Sequence, residues 1–392
     1  MAVYRLRGCV QHYAWGGTQY LPDLLQSENP QQEPWAEYWL GIHPKGPAQV
    51  LLPEGEMRLD EFLDQHPEIL QGGVSSEFAR LPFLLKILDV RSMLSIQLHP
   101  NRERARAGYE REEALGIPRL APHRSYKDEN HKPEVMVALS DFWLLHGFRA
   151  EAEIKQTLEE IPAWQSLQSV MEEGGIPALY RTVMEASQSE IDAWLKPLYE
   201  DLRQRNDLSE NQAEYWAWQA FEQYTRDGHF DRGIFSIYWF NLVKVKAGEG
   251  IFQDAGVPHA YLRGVNVELM ANSDNVLRGG LTPKHIDVPE LLANIHAESV
   301  HPQIISGEEL ATGVRQYPVP VPDFQLSRVL ITPGQQISLQ NPRAAITLVL
   351  AGKIEINGDI YVSGDAFLQA AKKTVVLVNT GVEPTILYSA TF

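Results

Sequence analysis

Between residues 149 and 232 apolar side chains return every three or four positions, and Ile191, Trp194, Leu195, Leu198, Tyr199 and Leu202 fall on one helical face. Pro197 lies inside that stripe and is expected to kink it. Ser209-x-x-Gln212 has the form of a capping box opening a further helix that carries Tyr215, Trp216, Trp218 and Phe221. This aromatic stripe reads as core packing rather than as a cofactor box. The flanks differ. Residues 4–148 are irregular and rich in Pro, Gly and aromatics, with short apolar runs such as Phe83-Leu84-Leu85 and Met93-Leu94-Ser95-Ile96, which predicts β-strands joined by long loops. Strand texture is expected again at Ile234-Phe235-Ser236-Ile237-Tyr238 and at Leu242-Val243-Lys244-Val245. From Val319 to Phe392, Val, Ile, Leu and Thr alternate between turn signals at Pro333-Gly334, Ala351-Gly352 and the hairpin-type Asn357-Gly358.

Strand-type sequence on both sides of a helical block predicts a mainly β chain with a helical insertion. A discontinuous β module is expected over residues 1–148 and 233–318, the insertion over 149–232, and a separate small β-sandwich or barrel over 319–392. A jelly roll suits the last module, as do other all-β sandwiches.

Composition narrows the function. A chain of 392 residues is long enough for two or three modules with substantial cores. The net charge of −17 argues against general affinity for nucleic acid, and it makes any local cluster of Lys and Arg more informative. The single cysteine, Cys9, excludes an internal disulfide framework and a Cys-rich zinc module. No N-terminal leader pattern is visible, and the most hydrophobic run, residues 81–90, carries Lys86 and Asp89. A cytoplasmic protein without a membrane span is therefore expected.

Three stretches could carry chemistry. In Ser95-Ile96-Gln97-Leu98-His99-Pro100, Gln97 and His99 are two apart and share a face if the segment is a strand. Alone, such a pair is usually incidental. In Tyr126-Lys127-Asp128-Glu129-Asn130-His131-Lys132-Pro133-Glu134, the polar block reads either as a solvated loop or as a strand mouth with Glu134 as an anionic ligand and Lys132 on the same face. Pro133 favours the second, since the residue before a proline is biased toward extended backbone. The third stretch holds His259, Glu268, Asn272-Ser273-Asp274-Asn275 and Arg278-Gly279-Gly280-Leu281-Thr282-Pro283-Lys284. Two imidazoles, a carboxylate and an amide suit a four-ligand site for zinc or another divalent ion. The last 74 residues contain no histidine, so a related C-terminal module would be metal-free.

These segments, together with Pro34-Trp35-Ala36-Glu37-Tyr38-Trp39-Leu40-Gly41-Ile42-His43-Pro44-Lys45, resemble type I mannose-6-phosphate isomerases, also called phosphomannose isomerases, in order and spacing from about Gln11 to Lys284. The resemblance implies a tandem cupin architecture with a helical domain, one Zn²⁺ per chain, and isomerisation of mannose 6-phosphate and fructose 6-phosphate through a cis-enediol. It implies Gln97, His99, Glu134 and His259 as zinc ligands and Arg278, Lys132 and Asp274 as catalytic residues. It puts Ser95, Lys86, Lys284 and His131 near the phosphate or sugar oxygens. Gly279 departs from the alanine usual in the family after the arginine. The expected partner is a small sugar phosphate, handled by a monomer, with neither nucleic acid nor membrane involved. A zinc-binding sugar-phosphate sensor could dispense with Lys132, Asp274 and Arg278, and a metal-dependent oxygenase would not need the grouped basic residues.

Overall fold

The computed structural model describes residues 2–71 and 78–392. Its organising element is the thirteen-residue strand His259–Ala271. Gly264, at φ +130°, sits where the strand changes partners, and a Cβ there would lie 2.6 Å from Phe142 Cδ2. Before that glycine the strand pairs with Phe142–Phe148 and, at His259, with Gln97. After it the strand runs between Phe83–Val90 and Glu134–Ala138. Sheet order on that side is Ile304–Ile305, Gly250–Gln253, Glu134–Ala138, His259–Ala271, Phe83–Val90, Glu37–Gly41, Cys9–Gln11.

All eight residues of Phe83–Val90 are buried, because both faces of this sheet are covered, which is why the run is almost continuously apolar. Strand alternation sorts its side chains. Leu85 and Ile87 join Val135, Val137, Val267 and Leu269 in a core shared with the C-terminal strands. Lys86 points the other way, and its cross-strand neighbours are Trp39 and Glu268. Each fully buried Leu or Ile on the shared side contributes about 1.5–3 kcal/mol, so the register that turns Lys86 and Glu268 inward is held by the apolar face opposite.

The C-terminal strands form a nine-stranded and a four-stranded sheet. The larger one is completed by chain from the opposite end: Val3–Arg7 pairs with Ala366–Gln369 and with Gln49–Leu52, which in turn pairs with Gly55–Arg58. The four-stranded sheet lies wholly within 319–392, but the nine-stranded one draws strands from both sides of the boundary expected at 319, and a core that includes Leu6, Val50, Leu326 and Leu348 spans it. The Asn357-Gly358 turn is as expected, with φ +53° and +91°, and joins Lys353–Ile356 to Asp359–Val362.

The helical block comprises Glu151–Glu160, Gln168–Glu185, Gln188–Leu202 and Ala213–Tyr224, with a 3-10 turn at Pro162–Leu167. Ile191, Leu195, Leu198 and Leu202 are buried as the spacing predicts. Pro197 does not break the helix. Gln188–Leu202 continues through it, and the break falls instead at Gly175, φ +62°, two residues before Pro177. The Ser209 amide does donate to Gln212 Oε1 at 2.9 Å, but the helix begins only at Ala213. Ile234–Trp239 is a helix rather than the expected strand. All six residues are buried, so no polar side marks the period. The helical contact shows in Phe235, Tyr238 and Trp239, spaced three and four apart, which all pack on Trp164 at 4.8, 5.2 and 6.0 Å.

Candidate active site

Three strands meeting at His259 bring distant ligands together. Gln97 pairs with His259 on one side and with Arg278 on the other, while Glu134 enters from the strand beside the far half of His259–Ala271. His99, Glu134 and His259 are buried, and their ligand atoms lie within 4.8 Å of one another. His99 Nε2 faces Glu134 Oε1 at 3.4 Å, and His259 Nε2 faces Oε2 at 3.5 Å. The other ring nitrogens face carbonyls, His99 Nδ1 on Asn275 O at 2.9 Å and His259 Nδ1 on Val257 O at 3.1 Å. Carbonyls only accept, so each Nδ1 carries the proton and each Nε2 presents a lone pair to the shared centre. His99 Nε2 has no hydrogen-bond partner among the described residues. Burial, only partly opposed by Glu134, lowers the His99 pKa to about 4, which keeps the ring neutral. Burial opposes charge on Glu134, but Lys132 and His99 outweigh it and hold the carboxyl well below its usual range. Lys132 Nζ lies 3.1 Å from Glu134 Oε1. Two imidazoles and an ionised carboxylate, with Gln97 lining the same cavity of about 100 Å³, fit a divalent cation of the zinc class.

One wall of that cavity carries Lys86, expected near the sugar phosphate, together with Glu268, Glu37 and Tyr261, whose pairing with it the sequence did not show. Lys86 Nζ is 3.0 Å from Glu268 Oε1 and 3.5 Å from Glu37 Oε2, and Tyr261 donates to Glu268 Oε2 at 2.9 Å. Burial works against the Lys86 ammonium, yet the surrounding carboxylates raise its pKa overall. Glu37 and Trp39, two apart on Glu37–Gly41, take the same inward face, a spacing visible in the sequence.

Beside the ligands stands a group of cations. Asp274 is held by His43 Nε2 at 3.3 Å and Lys45 Nζ at 2.9 Å. Burial resists its ionisation, but these partners pull its pKa well down, so Asp274 is a charged acceptor. The Lys127 pKa is lowered by burial and then by Lys45, Arg278 and Lys284. That of Lys284 is lowered by burial, Arg278 and Lys45, and that of Arg278 by burial alone. Among the described residues, Lys127, Arg278 and Lys284 have no carboxylate at ion-pair distance. Four cations around one carboxylate favour an incoming anion.

The structure thus brings together Gln97, Glu134, His259, Lys132 and Lys86 around one cavity with His99 against Glu134, and Arg278, Lys284 and Asp274 beside it. Ser95 lies half-buried two residues before Gln97. His131 turns the other way, with Nε2 3.0 Å from Asp323 Oδ1 in a cluster with Arg102. The successive residues 131 and 132 project to opposite sides of an extended segment, which takes His131 out as it brings Lys132 in. His43, Lys45 and Lys127 are additional polar members of the site; their signal was their place inside the two long motif blocks. Larger hollows of about 560 and 490 Å³ lie around Thr18 and Asp23, away from this cluster.

Comparison with known proteins follows the same lines. The family model described as phosphomannose isomerase type I, catalytic domain, matches residues 3–151. The mannose-6-phosphate isomerase of Salmonella typhimurium is 36% identical over 394 residues, spanning 96% of this chain and 97% of its own. That of Escherichia coli is 37% identical over 355 residues, with 89% and 88% covered. A crystal structure of the Salmonella typhimurium enzyme bound to its substrate fructose 6-phosphate and a zinc atom superposes with a TM-score of 0.89 at 32% identity, covering 100% of this chain and 99% of that one.

Proposed function

We infer that this chain, which belongs to the type I phosphomannose isomerase family, is a zinc-dependent aldose–ketose isomerase interconverting mannose 6-phosphate and fructose 6-phosphate through a cis-enediol. The observation that carries the reading is the convergence of the two Nε2 lone pairs and the Glu134 carboxylate beside an unneutralised group of cations. Ligands alone would suit many metal proteins; ligands next to an anion-seeking group suit a phosphorylated sugar. The architecture supports the finer reading of two cupin-type jelly rolls with a helical domain inserted into the first. A cytoplasmic monomer is part of the same proposal, and sedimentation of the purified chain tests the oligomeric state.

His99, Glu134, His259 and Gln97 would hold the metal. Bound there, zinc supplies Lewis-acid polarisation of a sugar oxygen. Lys45, Lys127 and Lys284 hold the 6-phosphate and fix the register of the carbon chain. Isomerisation then moves one proton from C2 to C1, while the hydroxyl proton on O2 is lost and one is gained on O1. Lys132 is proposed to carry the carbon-bound proton, because its amine lies beside the ligand carboxylate and inside the cavity. Arg278 is proposed to stabilise the oxyanion charge that develops on the enediol. Asp274, ionised and tied to His43 and Lys45, accepts hydrogen bonds from sugar hydroxyls during ring opening.

A coupled assay for fructose 6-phosphate formed from mannose 6-phosphate, before and after chelation, tests the reading. Activity that is lost with the metal and restored by zinc is expected. Full activity in a metal-free protein would refute it.

A further inference from the structure

The segment from Arg278 to Lys284 is held from two sides. Towards the ligands, Arg278 pairs with Gln97, the Gly279 amide donates to Ile96 O and the Ile96 amide donates to Gly280 O, both at 3.0 Å. On the other side stands Asp231, at the end of the helical block. Its Oδ1 accepts the amides of Gly233 and Leu281 at 2.7 Å each, and its Oδ2 accepts that of Thr282 at 3.1 Å. Thr282 Oγ1 in turn accepts the Lys284 amide at 3.1 Å. Leu281 has φ +52°, a conformation that a branched L side chain keeps only where its surroundings hold it. The two backbones touch: a Cβ on Gly280 would lie 2.4 Å from Gly233 Cα, and one on Gly233 would lie 2.5 Å from Leu281 N. A carboxylate with three amide donors and, among the described residues, no lysine or arginine at ion-pair distance is not stabilising a surface charge. It is a clamp on backbone, and the clamped backbone carries the cations of the site.

We propose that Asp231 is a positioning residue for isomerisation: by fixing the amides of Leu281 and Thr282 it sets where the Arg278 guanidinium and the Lys284 ammonium stand. The helical insertion thereby completes the active site of the sheet it interrupts. The proposal rests on the isomerase reading above.

Asp231→Asn tests it in the zinc-loaded enzyme. The amide keeps its shape and one acceptor but turns an N–H toward a backbone N–H, so one of the clamped amides loses its partner. Zinc content stays at the wild-type level while kcat falls about tenfold. In an Arg278→Lys background the same substitution costs little more, because a displaced fork cannot be lost twice. Gly280→Ala forces the same backbones apart with Asp231 intact, so it should give the same loss and the same non-additivity should Asp231→Asn fail to fold. Wild-type kcat in both variants, or an equal fold loss in both backgrounds, overturns the positioning role. A wild-type chain without isomerase activity would instead sink the functional reading. Placement is then judged on inorganic phosphate, whose affinity for the holoprotein Asp231→Asn should weaken by about threefold; unchanged affinity overturns it.

Discussion

Asn275 offers the sharpest test of how the metal centre is built. Its side chain is fully buried. Oδ1 accepts the amides of Lys127 and Asp128 at 2.7 and 3.3 Å, and Nδ2 donates to Asp128 O at 2.8 Å and Asn130 O at 2.9 Å. The same residue's carbonyl takes the His99 Nδ1 proton. One asparagine therefore joins the Lys127–Lys132 loop to His99, a candidate metal ligand. Asn275→Ala strips the amides of Lys127 and Asp128 and the Asp128 carbonyl of their partner at once, and leaves Asn130 O with Ser273 Oγ at 3.2 Å. A buried polar group left unpaired costs about 1–3 kcal/mol. Lys127 and Asn130 are only half-buried, so water takes over part of the loss. A net cost of about 4 kcal/mol follows, large against a total stability of about 5–15 kcal/mol. The freed carbonyl also loosens His99, and losing such a partner typically weakens metal binding about 10–100-fold. Urea unfolding of the apoprotein reads the first effect, and zinc competition against a chromophoric chelator reads the second. Asn275→Asp should not rescue either, since it puts a carboxylate oxygen against two carbonyls and Asp128. Stability within about 1 kcal/mol of wild type together with wild-type zinc affinity would refute the reasoning.

Other outcomes follow from single contacts. Lys132→Ala should keep zinc yet lose exchange of the substrate's C2 hydrogen with solvent, whereas Arg278→Lys should lower kcat more than it raises KM; exchange at the wild-type rate in Lys132→Ala eliminates it as the proton carrier. Burial, reinforced by His259, holds His146 at a pKa of about 4, so the unfolded chain takes up a proton that the folded one refuses as pH falls from about 6.5. Apoprotein stability should therefore fall with acidification in that window, and His146→Gln should flatten the slope by up to about 1.4 kcal/mol per pH unit in urea titrations; an unchanged slope contradicts this. A Cβ on Gly279 would lie 2.8 Å from Tyr180 Oη and 2.9 Å from Ile96 Cγ2, so Gly279→Ala should destabilise by about 1–2 kcal/mol and Tyr180→Phe in the same chain should recover part of it. Additive losses in the double variant would show that the hydroxyl is not the obstacle.

Gly279 also shows what a departure from family pattern means physically. In the sequence it reads as a missing methyl in a turn. In the structure that space is taken by a tyrosine from the helical block, so the glycine and Tyr180 belong together.

What the sequence determined by itself is local or carried by contiguous motifs. The helical stripe of Ile191, Leu195, Leu198 and Leu202 and the Asn357-Gly358 hairpin are legible because helix period and turn chemistry act within a few residues. The cluster of His99, Glu134 and His259 that could hold a metal was legible because these residues sit in dense polar blocks whose residue types have few other joint uses. Tertiary structure decided the rest. Val3–Arg7 could not be assigned to the C-terminal sheet, since pairing partners 360 or more residues apart leave no mark on either strand. Ile234–Trp239 lacks a polar face because every side of it is covered, and without a polar face a helix and a buried strand look alike. The neighbours of a buried charge are set by register, so only the fold turns Lys86 onto Glu268 and Glu37, turns His131 out to Asp323, and brings Asp231 from the helical block onto the loop of Arg278.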